Sequence, residues 1–132
     1  MPSNRNDSAS SESLGRFAYD GLDRVIHEKA RLGIIASLAT HVPGLLFNEL
    51  KDLCSLTDGN LSRHLSVLIE ARIVHVWKEQ RDGRQQTMHC LTTEGRRRFL
   101  EYVSILENVV MDAQNDARDV QPRQGIQRWS PA

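Results

Sequence analysis

The chain has 132 residues, of which 39% are apolar and 26% charged, and its 17 basic side chains balance its 17 acidic ones. This length suffices for one domain with a buried core and is too short for two domains of ordinary size. No apolar run approaches the roughly 18 residues needed to cross a bilayer, so no membrane partner is expected. The polar N-terminus lacks the apolar stretch of a secretory signal, and Cys54 and Cys90 have no C-x-x-C partner. We therefore expect a reduced, cytoplasmic protein.

The charge is unevenly distributed along the chain, although a total of zero by itself argues against a nucleic-acid partner. Residues 57–98 contain eight Lys and Arg against five Asp and Glu, a local charge of +3. The flanking segments 1–56 and 99–132 carry −1 and −2. Because phosphate binding depends on the local potential more than on the total charge, the middle of the chain is where an anionic partner is expected.

One domain is predicted for residues 14–112, between two tails. Residues 1–13 are rich in Ser, Asn and Asp without apolar periodicity, which predicts disorder. Residues 113–132 are also predicted to be disordered, since Pro and Gly interrupt any helix there. The domain itself is predicted to be mostly α-helical with a small β-hairpin.

Three helices are predicted in the first part of the domain. Apolar residues at helical spacing indicate a short helix at residues 20–26, a stronger one at 28–40 and a third at 47–53. His41-Val42-Pro43-Gly44 ends the second helix, because Pro and Gly terminate helices.

A fourth helix follows the three-residue turn Cys54-Ser55-Leu56, which is the spacing of a helix-turn-helix. Thr57 or Asp58 caps this helix, and it runs to about Ala71. At 100° per residue, its inward stripe consists of Leu61, Leu65, Leu68 and Ile69, flanked by Ser62 and His64. Its outward face carries Gly59, Asn60, Arg63, Ser66, Val67 and Glu70. Arg63 can reach a guanine edge or a phosphate, although a merely solvated polar face is the alternative.

A β-hairpin is predicted after the fourth helix. Residues 73–79 and 86–91 alternate as strands do, and Arg81-Asp82-Gly83-Arg84 joins them as a tight turn. Asp-Gly supplies the positive φ that such a turn needs. The two arginines direct cations outward, where a minor groove or a phosphate could receive them.

The final predicted helix begins at Thr92 or Thr93 and contains the run Arg96-Arg97-Arg98. This run either contacts phosphates or solvates the start of the helix. The apolar residues beyond it recur at three- and four-residue spacing, which favours pairing with a second copy; folding back onto the same domain is the alternative. The predicted dimer residues are Phe17, Phe99, Val103, Leu106 and Val110.

These motifs resemble those of winged helix-turn-helix transcriptional regulators of the MarR/ArsR type, in their short single-domain branch. The resemblance covers about residues 20–110 and rests on TDGNLSRHLSVLIEARIVHV, the hairpin and LTTEGRRRFLEYV. It implies dimerisation through N- and C-terminal helices and a homodimer that binds double-stranded DNA sequence-specifically. The fourth helix would enter the major groove, with the hairpin on the minor groove or backbone. The residues that it implies at the DNA are Thr57, Asn60, Ser62, Arg63, His64, Arg81 and Arg84.

Other functions have less support in the sequence. No nucleophile motif, phosphate loop or acid pair is present, so neither an enzyme nor a cofactor is expected. His75, His89 and Cys90 could approach one another across the hairpin, but the cysteine pairs of metal-sensing ArsR relatives are missing. A metal- or thiol-responsive sensor and a protein–protein interaction module are the alternatives. A small-molecule effector is compatible with the sequence, but no residue requires one.

Overall fold

The computed structural model describes residues 15–119, with side chains up to Asn115. They form two units, one of residues 20–103 and one of residues 15–19 with 104–119. The helices are α1 (Lys29–Thr40), α2 (Phe47–Cys54), α3 (Asp58–Glu70) and α4 (Thr93–Asp119). The strands are β1 (Leu45–Leu46), β2 (Val74–Arg81) and β3 (Arg84–Leu91). The predicted class, mostly α with a small β component, is confirmed.

Helix α1 supplies much of the core of the 20–103 unit. The Glu28 carboxylate starts it by accepting a hydrogen bond from the Arg31 backbone N–H at 3.0 Å. Its side chains Ile34, Ile35 and Leu38 are buried. Among the helices that the structure describes, none is long and apolar enough to cross a membrane.

Helices α2 and α3 form the expected helix-turn-helix. Ser55 adopts a left-handed conformation at φ 54°, and the Leu56 N–H returns to the Lys51 carbonyl at 3.1 Å. Thr57 then caps α3, with its hydroxyl accepting from the Asn60 N–H at 3.2 Å. This tight reversal turns the chain between two short helices without a longer loop.

The hairpin supplies two strands of a three-stranded antiparallel sheet in the order β1-β3-β2, in which β3 is the central strand. Asp82 and Gly83 both have positive φ, 49° and 76°, as the predicted Asp-Gly turn requires. The third strand, β1, was not expected, because two residues carry no readable alternation. Gly44 precedes it, and a Cβ there would lie 2.4 Å from the His89 carbonyl oxygen.

The helix predicted at residues 20–26 is wrong, because this segment consists of turns. The Asp23 carboxylate accepts hydrogen bonds from the backbone N–H groups of Val25 and Ile26, at 3.0 and 3.4 Å. Such side-chain bonds compete with a helix for backbone donors. The apolar periodicity reflected burial instead, and Ile26 is completely buried.

Helix α4 begins where predicted, with the Thr92 hydroxyl accepting from the Gly95 N–H at 2.8 Å. It extends through Asp119, so the prediction of disorder is wrong for residues 113–119. That stretch contains no Pro or Gly, and the breakers on which the prediction relied occur only later. The rest of that predicted tail, and the tail predicted at residues 1–13, lie outside the described residues.

Candidate nucleic-acid interface

The N-terminal half of α3 presents a polar face on a buried apolar ridge. Leu61, Leu65 and Leu68 are buried as predicted. The polar residues Thr57, Asn60, Ser62 and Arg63 are all exposed. Ile69, expected inward, is 40% exposed, so the ridge is narrower than predicted.

Arg63 and Asn60 lie next to each other on this face. The Arg63 Nη2 donates to the Asn60 Oδ1 at 3.1 Å, one turn back along the helix. The bond leaves other guanidinium N–H groups and the Asn60 amide N–H₂ available to a ligand. Both side chains are of the kinds that read base edges, Arg reading guanine and Asn adenine.

The expectation that His64 lies at the DNA is wrong, because this side chain is only 5% exposed. His64 comes three residues after Leu61 and four before Leu68, which puts it on the inward face. Its Nδ1 accepts from the Arg31 Nη1 at 3.3 Å and lies 3.8 Å from a Glu28 carboxylate oxygen. The hydrogen bond that Glu28 accepts from the Arg31 backbone lowers the pKa of this carboxyl group and favours its ionised form.

The tip of the hairpin carries the two expected arginines. Arg81 and Arg84 are exposed and opposite each other in the strand register. The Arg81 Nε donates to the Glu79 carboxylate at 3.2 Å, so part of its charge is neutralised. The tip therefore carries a smaller positive charge than its sequence suggests.

Two arginines of the run 96–98 are held by neighbouring carboxylates or carbonyls. Arg97 pairs with Glu94 and Glu101 on its own helix, and its hydrogen bond lowers the pKa of Glu94. Arg98 donates to the Asp23 carboxylate and to the Ala71 carbonyl. Of the two readings of this run, these contacts favour a structural role for Arg97 and Arg98.

The hairpin histidines and cysteine do not converge. His75 faces Cys90 across the register, whereas His89 is buried on the other side of the sheet, 3.2 Å from the Leu45 carbonyl oxygen. Burial raises the pKa of the Cys90 thiol, which makes it less reactive. Within the part of the chain described, no group of three or more His, Cys, Asp or Glu is placed to hold a metal ion.

A cavity of about 600 Å³ lies between α1 and the helix-turn-helix turn. Gly33 and Ser37 line it on the α1 side, and Leu53, Cys54 and Leu56 on the other. The Ser37 hydroxyl lies 3.6 Å from the Cys54 thiol at this wall. The cavity is within the 20–103 unit.

Comparison with known proteins gives a family and a fold. The family model of the winged helix DNA-binding domain matches residues 30–110. An uncharacterized protein of Methanocaldococcus jannaschii is 42% identical over 57 residues, which are 43% of this chain and 62% of that protein. The match thus spans less than two thirds of that relative's length.

Two solved structures extend the comparison. A transcriptional regulator homologue from Pyrococcus horikoshii OT3 is 27% identical with a TM-score of 0.62, over 67% of this chain and 87% of that one. A transcriptional regulator of the MarR family from Enterococcus faecalis V583 shares the fold, with 21% identity and a TM-score of 0.63 over 71% and 84% of the chains. These findings confirm the predicted MarR-like winged helix-turn-helix fold and point to a class of regulators rather than enzymes.

Proposed function

We propose that this chain, which belongs to the winged helix DNA-binding domain family, is a homodimeric transcription regulator that binds double-stranded DNA sequence-specifically. The observation that carries the proposal is the exposed polar face of α3 on its buried leucine ridge. The Thr, Asn and Ser side chains of this face are small and can both donate and accept hydrogen bonds, and Arg63 donates several. It begins at a helix N-terminus, where backbone N–H groups favour a phosphate.

In this proposal α3 enters the major groove, which is wide enough for one helix. Arg63 binds a guanine edge with two hydrogen bonds, and Asn60 binds an adenine edge or the backbone. The Arg63–Asn60 bond of the free protein is exposed, so exchanging it for bonds to a base costs little. Thr57 and Ser62 contact the sugar-phosphate backbone and fix the register.

The hairpin contacts the minor groove or the backbone beside the α3 site. Arg81 and Arg84 at its tip supply the positive charge. Because Glu79 is paired with Arg81, Arg84 makes the larger contribution. The wing therefore adds affinity more than sequence preference.

A second copy of the chain completes the binding unit. In the structure Phe17 is 52% and Val110 50% exposed, while Phe99, Val103 and Leu106 are partly buried. Leu100 and Met111 are further exposed apolar residues of α4. Covering these side chains with a partner removes apolar surface from water and pairs two α3 helices for two half-sites. A DNA partner also agrees with the expected cytoplasmic location.

The proposal is tested by selecting duplexes from a random DNA pool with the full chain. We expect an enriched sequence of two half-sites related by a two-fold axis, with centres about 10 base pairs apart. A single enriched half-site would contradict the homodimer. Failure to enrich any sequence, with binding that does not weaken as salt is raised, would contradict DNA recognition and favour an interaction module instead.

A further inference from the structure

Two arginines from outside the helix-turn-helix donate hydrogen bonds to α3 and to the residue that ends it. Arg31, on α1, donates from Nη1 to the His64 Nδ1 at 3.3 Å. Arg98, on α4, donates from Nη1 to the Ala71 carbonyl oxygen, also at 3.3 Å. His64 is adjacent to Arg63, and Ala71 follows the last helical residue.

The short segment 23–28 holds both arginines. The Arg31 Nε donates to the Val25 carbonyl at 2.7 Å, and Arg98 donates from Nε and Nη2 to one Asp23 oxygen at 2.9 and 2.8 Å. The other Asp23 oxygen accepts the N–H groups of Val25 and Ile26. The segment that replaces the expected helix is therefore a fixed support for two side chains that reach α3.

From these contacts we infer that Arg31 and Arg98 are positioning residues for DNA recognition, which set the orientation of α3 and so place Arg63 at the base edge. This inference rests on the proposed function, in which α3 contacts DNA. Neither arginine needs to touch the duplex.

The apolar ridge of α3 does not by itself fix the rotation of this helix about its axis. Contacts of Leu61, Leu65 and Leu68 are non-directional and tolerate small rotations of the helix about its axis. Hydrogen bonds are directional and do not tolerate such rotations. His64 and Ala71 are seven residues apart, about 10 Å along the helix axis, and two separated points fix the direction of a rod.

Burial distinguishes Arg98 from its neighbour on α4. The Arg98 and Asp23 side chains are 24% and 22% exposed, so their bonds are partly shielded from water. The Arg97 side chain is 54% exposed and pairs only with carboxylates of α4 among the described residues. Arg97 thus provides a matched control with the same side chain at an adjacent position, and its hydrogen bonds within the described part of the chain go to Glu94 and Glu101 rather than to α3.

The experiment combines conservative substitutions with a double-mutant cycle on the full chain. Arg31→Lys and Arg98→Lys keep the charge but remove the planar fork that joins two acceptors. We expect each to weaken binding to the duplex selected by the wild type about tenfold, without changing binding to a scrambled duplex. In an Arg63→Ala background the same substitutions should weaken binding by less than about threefold, because the contact that they position is gone. Arg97→Lys should bind both duplexes as the wild type does.

Several outcomes would overturn the inference. If the fold-losses in affinity of Arg98→Lys and Arg63→Ala multiply in the double variant, the two residues are not coupled and Arg98 only stabilises the fold. The same conclusion follows if Arg98→Lys weakens binding to the selected and the scrambled duplex equally. If the lysine variants are not folded by circular dichroism, Asp23→Asn and His64→Gln enter the same cycle and decide it in the same way. If the wild type selects no duplex, the proposed function fails, and the inference fails with it. If the wild type selects a duplex and Arg63→Ala weakens binding, but the cycles show no coupling, the inference alone fails.

Discussion

His89 is a buried histidine whose environment favours the neutral ring. Its Nδ1 is 3.2 Å from the Leu45 carbonyl oxygen, and its ring lies beside that of Phe47. Burial, which removes water from the ring, lowers its pKa below the ordinary value of 6.5. In the unfolded chain the ring is half protonated at about pH 6.5. In the folded protein the same ring becomes protonated only at lower pH, because its pKa is lowered. Its stabilising contribution is therefore complete above pH 6.5 and decreases as the pH falls below it.

We accordingly expect the free energy of unfolding to fall between pH 7 and pH 5 more steeply in the wild type than in His89→Asn. Asparagine can still donate to the Leu45 carbonyl but does not titrate. The difference in slope should reach at most about 1.4 kcal/mol per pH unit, the value for one proton. Urea unfolding at several pH values measures it, with the exposed His75→Asn as control. Equal slopes for the wild type and His89→Asn would exclude His89 as the source.

The sequence predicted the buried and exposed faces of α3, but not the side taken by residues at the border between them. Helical periodicity correctly separated Leu61 and Leu65 from Asn60 and Arg63. It left His64 at the border of the buried stripe and placed Ile69 inward, whereas in the structure His64 is buried and Ile69 is exposed. The side that a border residue takes depends on what meets it, and Arg31 meets His64 from a different helix. One helix's sequence does not contain that information.

At the level of the elements, two helical glycines have opposite surroundings. A Cβ on Gly95, in the first turn of α4, would lie 2.3 Å from the Ile73 carbonyl oxygen. A Cβ on Gly59, in the first turn of α3, would meet nothing within 4 Å. The close approach at Gly95 thus joins the start of α4 to the residue before β2.

Gly95→Ala should lower the free energy of unfolding by about 1–3 kcal/mol, because backbone must move to admit the methyl group. Gly59→Ala should raise it by up to about 1 kcal/mol, because alanine favours a helix. Chemical denaturation of the two variants measures this contrast. Similar effects of both substitutions would show that the approach of α4 to Ile73 is not a constraint.

Whether an element was predictable depended on how local its causes are. The Asp82-Gly83 turn and the Thr57 cap arise from neighbouring residues, and both were predicted. The turns at residues 20–26 depend on Asp23, whose partner Arg98 is 75 residues away. Strand β1 exists only because β3 pairs with it, at Leu45 opposite His89. Both features were missed because their causes are distant in sequence.

For the whole molecule, the proposed homodimer depends on apolar residues near the end of α4. Val110→Asp should convert the protein from twice its 15.0 kDa chain mass to a monomer, because a buried unpaired charge is costly. Asn108→Asp adds the same charge at another exposed position of this helix and should leave the dimer intact. Sedimentation velocity measures both. A Val110→Asp variant with the mass of two chains would place the dimer surface elsewhere.

The charge of the molecule limits how strongly it should bind DNA without regard to sequence. Arg97 and Arg98 are engaged with carboxylates, and Arg81 shares its charge with Glu79. Of the arginines that we place at the DNA, Arg63 and Arg84 therefore contribute most of the attraction to phosphates. We expect a moderate dependence of affinity on salt, because few phosphates are neutralised.

The most direct measurement is the affinity for the selected duplex between about 50 and 200 mM salt, roughly a fourfold range. It is made for the wild type, for Arg63→Ala and for the control Arg97→Ala. We predict that wild-type binding weakens with salt and that Arg63→Ala costs about 1–3 kcal/mol at every salt concentration. Arg97→Ala should follow the wild type. An Arg63→Ala curve that coincides with the wild-type curve would contradict the assignment of the exposed face of α3 to DNA.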